Sequence, residues 1–198
     1  MAPAPFGIYV HVPFCAARCD YCAFATWTDR HHLISAYLDA CTRDARRLVD
    51  EGMPVATSVF VGGGTPTLVP GASLVAVLDA VPRAPGAEVT VECNPDDVTA
   101  KLLDTYLAGG VTRLSFGVQS TAPHVLRALG RTHDRRNVQR CVELARAAGF
   151  GSFNLDLIYG GAGETLDDWC HTLDDAIALD PHHVSAYALT VEAGTPLA

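Results

Sequence analysis

The 198-residue sequence is short of charge, and shortest of positive charge. Only 18% of its residues are charged, with 14 lysines and arginines against 22 aspartates and glutamates, a formal net charge of −8. An acidic chain without a continuous basic block is a poor holder of nucleic acid, whose binding is largely phosphate neutralisation. No run of about 18 apolar residues occurs, so stable membrane insertion is not expected. The opening Met-Ala-Pro-Ala-Pro-Phe has neither a basic start nor an apolar signal-like stretch, which makes the cytoplasm the expected location. Low-complexity stretches and linkers are missing as well. What is plentiful is apolar content, 49% of residues, which excludes a disordered chain because enough surface can be buried to offset ordering entropy. The length suits one domain or part of a larger one.

Seven cysteines are present, an odd number in a chain without an export signal, which points to metal or redox chemistry rather than a disulfide framework. Cys15, Cys19 and Cys22 fall within eight residues, whereas Cys41, Cys93, Cys141 and Cys170 stand singly. Cys41, Cys141 and Cys170 lie on helical stripes and read as small buried hydrophobes, and Cys93 reads as a non-ligand.

Apolar β-rich runs alternate with segments of helical period. The runs are residues 7–12, 57–61, 88–92, 113–118, 153–158 and 183–188. Between the first two, Ile34, Tyr37, Leu38, Cys41, Ala45 and Leu48 form a helical stripe closed by Gly52. Shorter stripes follow at Leu74–Val81 and at Leu102–Leu107, the latter capped by Thr99 and stopped by Gly109 and Gly110. Further helices are expected over Asp134–Ala148 and from Thr165, whose neighbourhood resembles a capping box, to Pro181. Alternation of this kind implies a parallel sheet covered by helices. A doubly wound sheet and a barrel share the pattern. Polar groups contributed by five successive strands (His11, Gly62–Thr65, Glu92 with Asn94 and Gln119 with Ser120 at strand ends, and Asp156 inside the fifth strand) favour the barrel, which gathers such groups around one mouth.

Three cysteines on a loop after the first strand supply three thiolates. A structural zinc site needs a fourth ligand, here from His11, His31, His32 or Cys93, and the usual paired spacing is missing. A cubane iron-sulfur cluster takes one ligand per iron, so three cysteines leave one iron open, the arrangement a metal uses for chemistry. His31 and His32 are expected to cap or flank the first helix in solvent.

The spacing Cys-x3-Cys-x2-Cys, with Tyr21 just before its last cysteine, resembles the radical S-adenosylmethionine (SAM) superfamily. The resemblance implies a [4Fe-4S] cluster whose open iron is chelated by the amino and carboxylate groups of SAM, and a complete or partial TIM-like barrel. Residues 9–15, 62–67, 117–120 and 156–160 resemble, more narrowly, the oxygen-independent coproporphyrinogen III oxidase family. That likeness makes Cys15, Cys19 and Cys22 the cluster ligands. It assigns SAM contacts to Tyr9, Tyr21, Gly63, Gly64, Thr65, Glu92, Gln119, Arg131 and Asp156. Each type suits its role. The glycines let backbone approach a ligand, Glu92 can accept from an ammonium, and Arg131 can meet a carboxylate bidentately. Asp156 can accept from ribose hydroxyls, or be held by a partner side chain, and Tyr21 offers apolar area to adenine.

Phe24, the run Glu92-Cys93-Asn94-Pro95-Asp96-Asp97 and the run Ala128 to His133 resemble the family's heme-chaperone branch, with the oxidase itself as the alternative. This implies heme or porphyrin and a heme-acceptor protein as partners, and a flavodoxin or ferredoxin as electron donor. Residues 1–198 then read as the radical SAM core, a partial (β/α)6 barrel stopping after its sixth strand. The family's carboxyl-terminal domain, on which heme binding depends, is expected to be absent. An exposed sheet edge is expected near His183–Leu189.

Overall fold

A computed structural model describes residues 4–198. Six strands alternate with helices: β1 (Gly7–Val12), α1 (Ile34–Asp50), β2 (Ala56–Gly63), α2 (Gly71–Asp79), β3 (Arg83–Cys93), α3 (Ala100–Ala108) and β4 (Arg113–Gln119). They continue with α4 (Pro123–Ala128), α5 (Arg135–Ala148), β5 (Phe153–Tyr159), α6 (Leu166–Ala178) and β6 (His183–Ala188). All strand pairs are parallel, and the order in the sheet is the order in the chain, β1 to β6. β1 and β6 are the two free edges, so the expected six-stranded partial barrel is what forms.

The two faces of the sheet differ in chemistry. Val10 and Val12, Val59 and Val61, Val89 and Val91, Leu114, Phe116 and Val118, and Leu155 and Leu157 are buried on the helix-covered face. They pack with Leu38, Leu74, Leu78, Leu103 and Tyr106 of the helices and with Val142 of α5. Each such aliphatic or aromatic side chain contributes roughly 1.5–3 kcal/mol on burial. The residues between them in sequence point the other way, because side chains alternate along a strand. These are His11, Glu92, Arg113, Ser115, Asn154, Asp156, His183 and Ser185. Parallel sheets are usually apolar on both faces. A polar concave face here marks a space built for something other than packing.

The helix ends follow the expected chemistry. Thr99 accepts from the Leu102 amide at the head of α3, Asp134 and Thr165 each form a capping box, and Gly149 ends α5 in the left-handed region at φ 95°. β3 is longer than its apolar pattern suggests. Its first residue, Arg83, pairs with Ala56, and a register shift separates that pair from the regular pairing that starts at Glu88. Helix α4 was not foreseen. Cys141 is buried as expected, but Cys41 is only half-buried and Cys170 is exposed. Cys170 therefore corrects the reading of all three as buried, since α6 turns that position away from the sheet. β6 has no helix over it and leaves Tyr187 56% exposed, in line with the expected open edge. Among the described residues, no helix is long and apolar enough to cross a membrane.

Candidate functional site

A cavity of about 560 Å³ opens on the concave face at the carboxyl ends of the strands. Its walls include Cys15, Cys19 and Cys22 from the loop after β1, and Gly63, Gly64 and Thr65 after β2. Glu92, Gln119, Arg131 and Asp156 also reach it, with Tyr21 beside the cysteines. Eleven of the twelve residues singled out in the sequence thus meet in one place. The exception is Tyr9, which is 57% exposed. It shares a hydrogen bond with His11 Nδ1 at 3.1 Å and stacks on Phe60, which does line the cavity. Ser120 is also elsewhere, fully buried against Thr172 of α6.

The cysteine loop is pinned by backbone and by two histidines. The Cys15 amide donates to Trp27 O at 3.1 Å, and the Trp27 amide returns a bond to Pro13 O at 2.7 Å. His31 Nε2 donates to Cys15 O at 2.8 Å, and His11 Nε2 donates to Ala25 O at 2.9 Å. His31 therefore holds the loop rather than merely flanking the first helix. All seven cysteines are free thiols. Burial raises the pKa of Cys15, opposed by hydrogen bonds from Thr65 and Thr26. Among the described residues no three Cys, His, Asp or Glu side chains are already drawn into a metal-sized group, so the three thiols share a cavity without converging on a point.

Opposite the loop, Glu92 accepts from the Gly63 amide at 3.1 Å. Its pKa is raised to about 7, chiefly by burial, with the neighbouring charge of Asp156 adding to it. Asp156 is fixed by Ser115 Oγ at 2.6 Å and Asn154 Nδ2 at 2.9 Å. Asn154 is itself held by His183 Nδ1 at 2.7 Å. Arg131 donates from Nη2 to Asn94 Oδ1 at 2.7 Å and to Gly117 O at 3.1 Å, while Nη1 lies 3.4 Å from Cys19 Sγ. Its Nε is buried and has no partner. Tyr21 packs its ring against Val125, Leu129 and Ile158. Burial, then the adjacent Cys19, raises its hydroxyl pKa.

The glycines serve close approach. A Cβ on Gly64 would stand 2.7 Å from Phe14 O, and one on Gly62 2.8 Å from the Glu92 carboxylate. Gly63 adopts φ 110°, a region that disfavours side chains. The three thiols, an unpartnered guanidinium donor and a carboxylate beside exposed backbone form a donor set that fits an iron-sulfur cluster carrying a zwitterionic ligand.

A model of the radical SAM superfamily matches residues 9–176. The chain belongs to that superfamily. Its membership implies a [4Fe-4S] cluster and SAM as the cofactors of the fold. Among curated relatives, the heme chaperone HemW of Mycobacterium tuberculosis is 44% identical over all of this chain and 53% of its own length. HemW of Escherichia coli is 37% identical over 96% of this chain and 52% of its own. The chain spans about half the length of the curated relatives it matches. Among solved structures, the radical SAM enzyme coproporphyrinogen III oxidase (HemN) of E. coli superposes with a TM-score of 0.86 at 30% identity. That match covers 94% of this chain and 44% of HemN.

Around the cavity, Ser115, Asn154 and His183 were not singled out by sequence, although Ser115 and Asn154 bond to Asp156 and His183 bonds to Asn154. Asn94 and His31 were named there, but not as partners of Arg131 and Cys15. The signal for Ser115, Asn154 and His183 was available in the alternation Arg-Leu-Ser-Phe-Gly, Phe-Asn-Leu-Asp-Leu and His-Val-Ser. His31 carried no such signal, since its partner is a carbonyl 16 residues away.

Proposed function

We propose that this chain is the cluster- and SAM-binding core of a heme chaperone. The observation that carries the reading is the assembly of Cys15, Cys19 and Cys22 on one cavity with Glu92, Arg131 and Asp156. Support for the chaperone branch comes from the HemW relatives, at 37% identity for E. coli and 44% for M. tuberculosis. The three thiolates would hold a [4Fe-4S] cluster, which when bound supplies an electron to the SAM sulfonium. Glu92 accepts from the methionine ammonium. Arg131 offers Nε to the carboxylate, and Gly63 to Thr65 admit the same end of the ligand to the backbone. Asp156, held by Ser115 and Asn154, receives the ribose hydroxyls. Tyr21 would offer apolar area to the base. Heme, its acceptor protein and their handling belong to the longer relatives' full length, and enter here as the expected cargo and partner.

Anaerobic reconstitution with iron and sulfide should yield a brown protein with about four irons per chain, abolished by serine at Cys15, Cys19 or Cys22. Tight zinc binding without cluster formation would overturn the reading. The HemN superposition favours a second reading, oxidation of coproporphyrinogen III. Anaerobic incubation of the longer protein with coproporphyrinogen III, SAM and a reductant separates the two, since decarboxylated product would sink the chaperone assignment.

A further inference from the structure

A second cleft, of about 610 Å³, lies between α4 and the first turns of α5, and shares Arg131 and Thr132 with the cavity above. Its rim carries Arg127, Arg135 and Arg136, with Gln139 further along α5. Arg140 follows Arg136 by one helical turn and lies on the same side of α5. From residue 127 to 140 there are five arginines and one acid, Asp134, in a chain of net charge −8. Arg127, Arg136 and Arg140 are exposed. Among the described residues, no carboxylate lies within ion-pair distance of any of the three. Arg135 is paired with Asp175. Of the acids nearby, Asp134 and Asp96 are engaged by hydrogen bonds, while Asp20, against Gly130, and Glu143, one turn beyond Arg140, sit at the margins of the face. Asp134 accepts from the Arg136 and Asn137 amides as a helix cap, and Asp96 accepts from Thr132. In the cleft, His133 is 3% exposed, and its Nε2 donates to Val118 O while its Nδ1 has no partner.

This face abuts the cysteine loop. The Asp20 amide donates to Leu129 O at 3.3 Å, and a Cβ on Gly130 would stand 2.9 Å from that same amide. Arg131 reaches Cys19 from the cleft side. Arg18, exposed on the loop, extends the positive surface towards Cys22.

We infer that the face formed by Arg127, Arg136 and Arg140, with Arg18 at its margin, is the docking surface for a small acidic one-electron carrier protein. The inference rests on the cluster reading above and names the partner that reduces it. A body of net charge −8 repels an acidic protein, so productive encounter has to occur where the local sign reverses. That reversal sits against the cysteine loop, which shortens the path from carrier to cluster. One electron leaves the reduced carrier and enters the oxidised cluster, with no bond made and no proton moved. A single-stranded nucleic acid fits less well, because no Phe, Tyr or Trp lines the cleft to stack a base and His133 is buried.

The test compares the reconstituted chain with a variant carrying Arg127→Gln, Arg136→Glu and Arg140→Glu. Reduction is followed by the loss of cluster absorbance, once with a photoreduced acidic flavodoxin and once with dithionite. The variant should be reduced at least about tenfold more slowly by flavodoxin, with the dithionite rate unchanged. Raising salt from 50 to 300 mM, which shortens the screening length, should slow the wild type and leave the variant nearly flat. Equal flavodoxin rates for the two proteins, or a parallel loss with dithionite, would overturn the inference. If no cluster forms, the cluster reading fails on its own terms. Calorimetric titration of the iron-free chain with oxidised flavodoxin still decides the docking surface, through binding that the variant loses. Equal binding by wild type and variant, or stronger retention of heparin than of flavodoxin, would overturn it.

Discussion

Arg131 Nη2 donates to Asn94 Oδ1 across 2.7 Å, and so ties the loop after α4 to the loop that leaves β3. Two of the three guanidinium nitrogens are occupied by protein, and Nε is left buried with nothing to bond. Replacing Arg131 by Lys keeps the charge and removes the fork. SAM affinity, measured by calorimetry on the reconstituted protein, should fall at least about tenfold. The melting temperature should change little by comparison. An unchanged affinity would show that Nε has no ligand to meet.

Gly64 tests whether the turn after β2 is spaced for a ligand or for the chain. An added methyl would press on the carbonyls of both Phe14 and Val12, so Gly64→Ala should displace the loop that carries Cys15. A loss of about 2 kcal/mol in urea unfolding is expected, together with poor cluster retention. Gly151→Ala is the control, since nothing lies within 4 Å of its added carbon. That substitution should be close to neutral.

Glu92 gives the site a pH dependence of two opposite signs. Its pKa in the folded chain is about 7, above the ordinary 4.5, because burial disfavours the carboxylate. The neutral form is therefore the one folding prefers. The associated stability is complete below pH 4.5 and is lost as pH rises through 7. Glu92→Gln should melt at least about 4 °C higher than wild type at pH 8, and the gap should close near pH 4.5. Binding of an ammonium needs the carboxylate. Wild-type SAM affinity should accordingly rise between pH 6 and pH 8, and the Gln variant should show no such rise.

Asn154 offers a test of indirect support. It is 2% exposed and bridges Asp156 to His183. Asn154→Leu removes that bridge and leaves Asp156 dependent on Ser115 alone. The expected cost is about 1–3 kcal/mol of stability, together with a larger loss of affinity for SAM than for a ligand lacking the ribose. Equal losses for both ligands would mean that Asp156 does not face the ribose.

The sequence pattern revealed the elements that have strong periodicity and the residues that carry recognisable chemistry. Helix α5 and its Asp134 cap were readable because fourteen residues hold a full stripe. Helix α4 was not, because six residues contain under two turns and no stripe can form. By composition the strands read as nearly continuous apolar runs with polar ends. In β4 and β5 the polar groups instead alternate along the strand, Ser115 beside Leu114 and Asn154 beside Leu155. That reading found the rim of the cavity and missed its floor. Contacts such as His31 with the Cys15 carbonyl depend on how a loop folds back, and loop backbone leaves no period in the sequence.

The strand order gives the chain one more property. Each strand's neighbour in space is also its neighbour along the chain, so no pairing waits for a segment made much later. β1 and β2 can pair as soon as β2 has left the ribosome, and every following strand adds to an edge already in place. Each pairing still closes a loop of a whole strand-helix unit, as between Gly7 and Ser58, so the sheet grows stepwise along the chain rather than quickly. The cysteine loop, carried between the first two strands, would be in position early, before the residues of β4 and β5 arrive to complete the cavity around it.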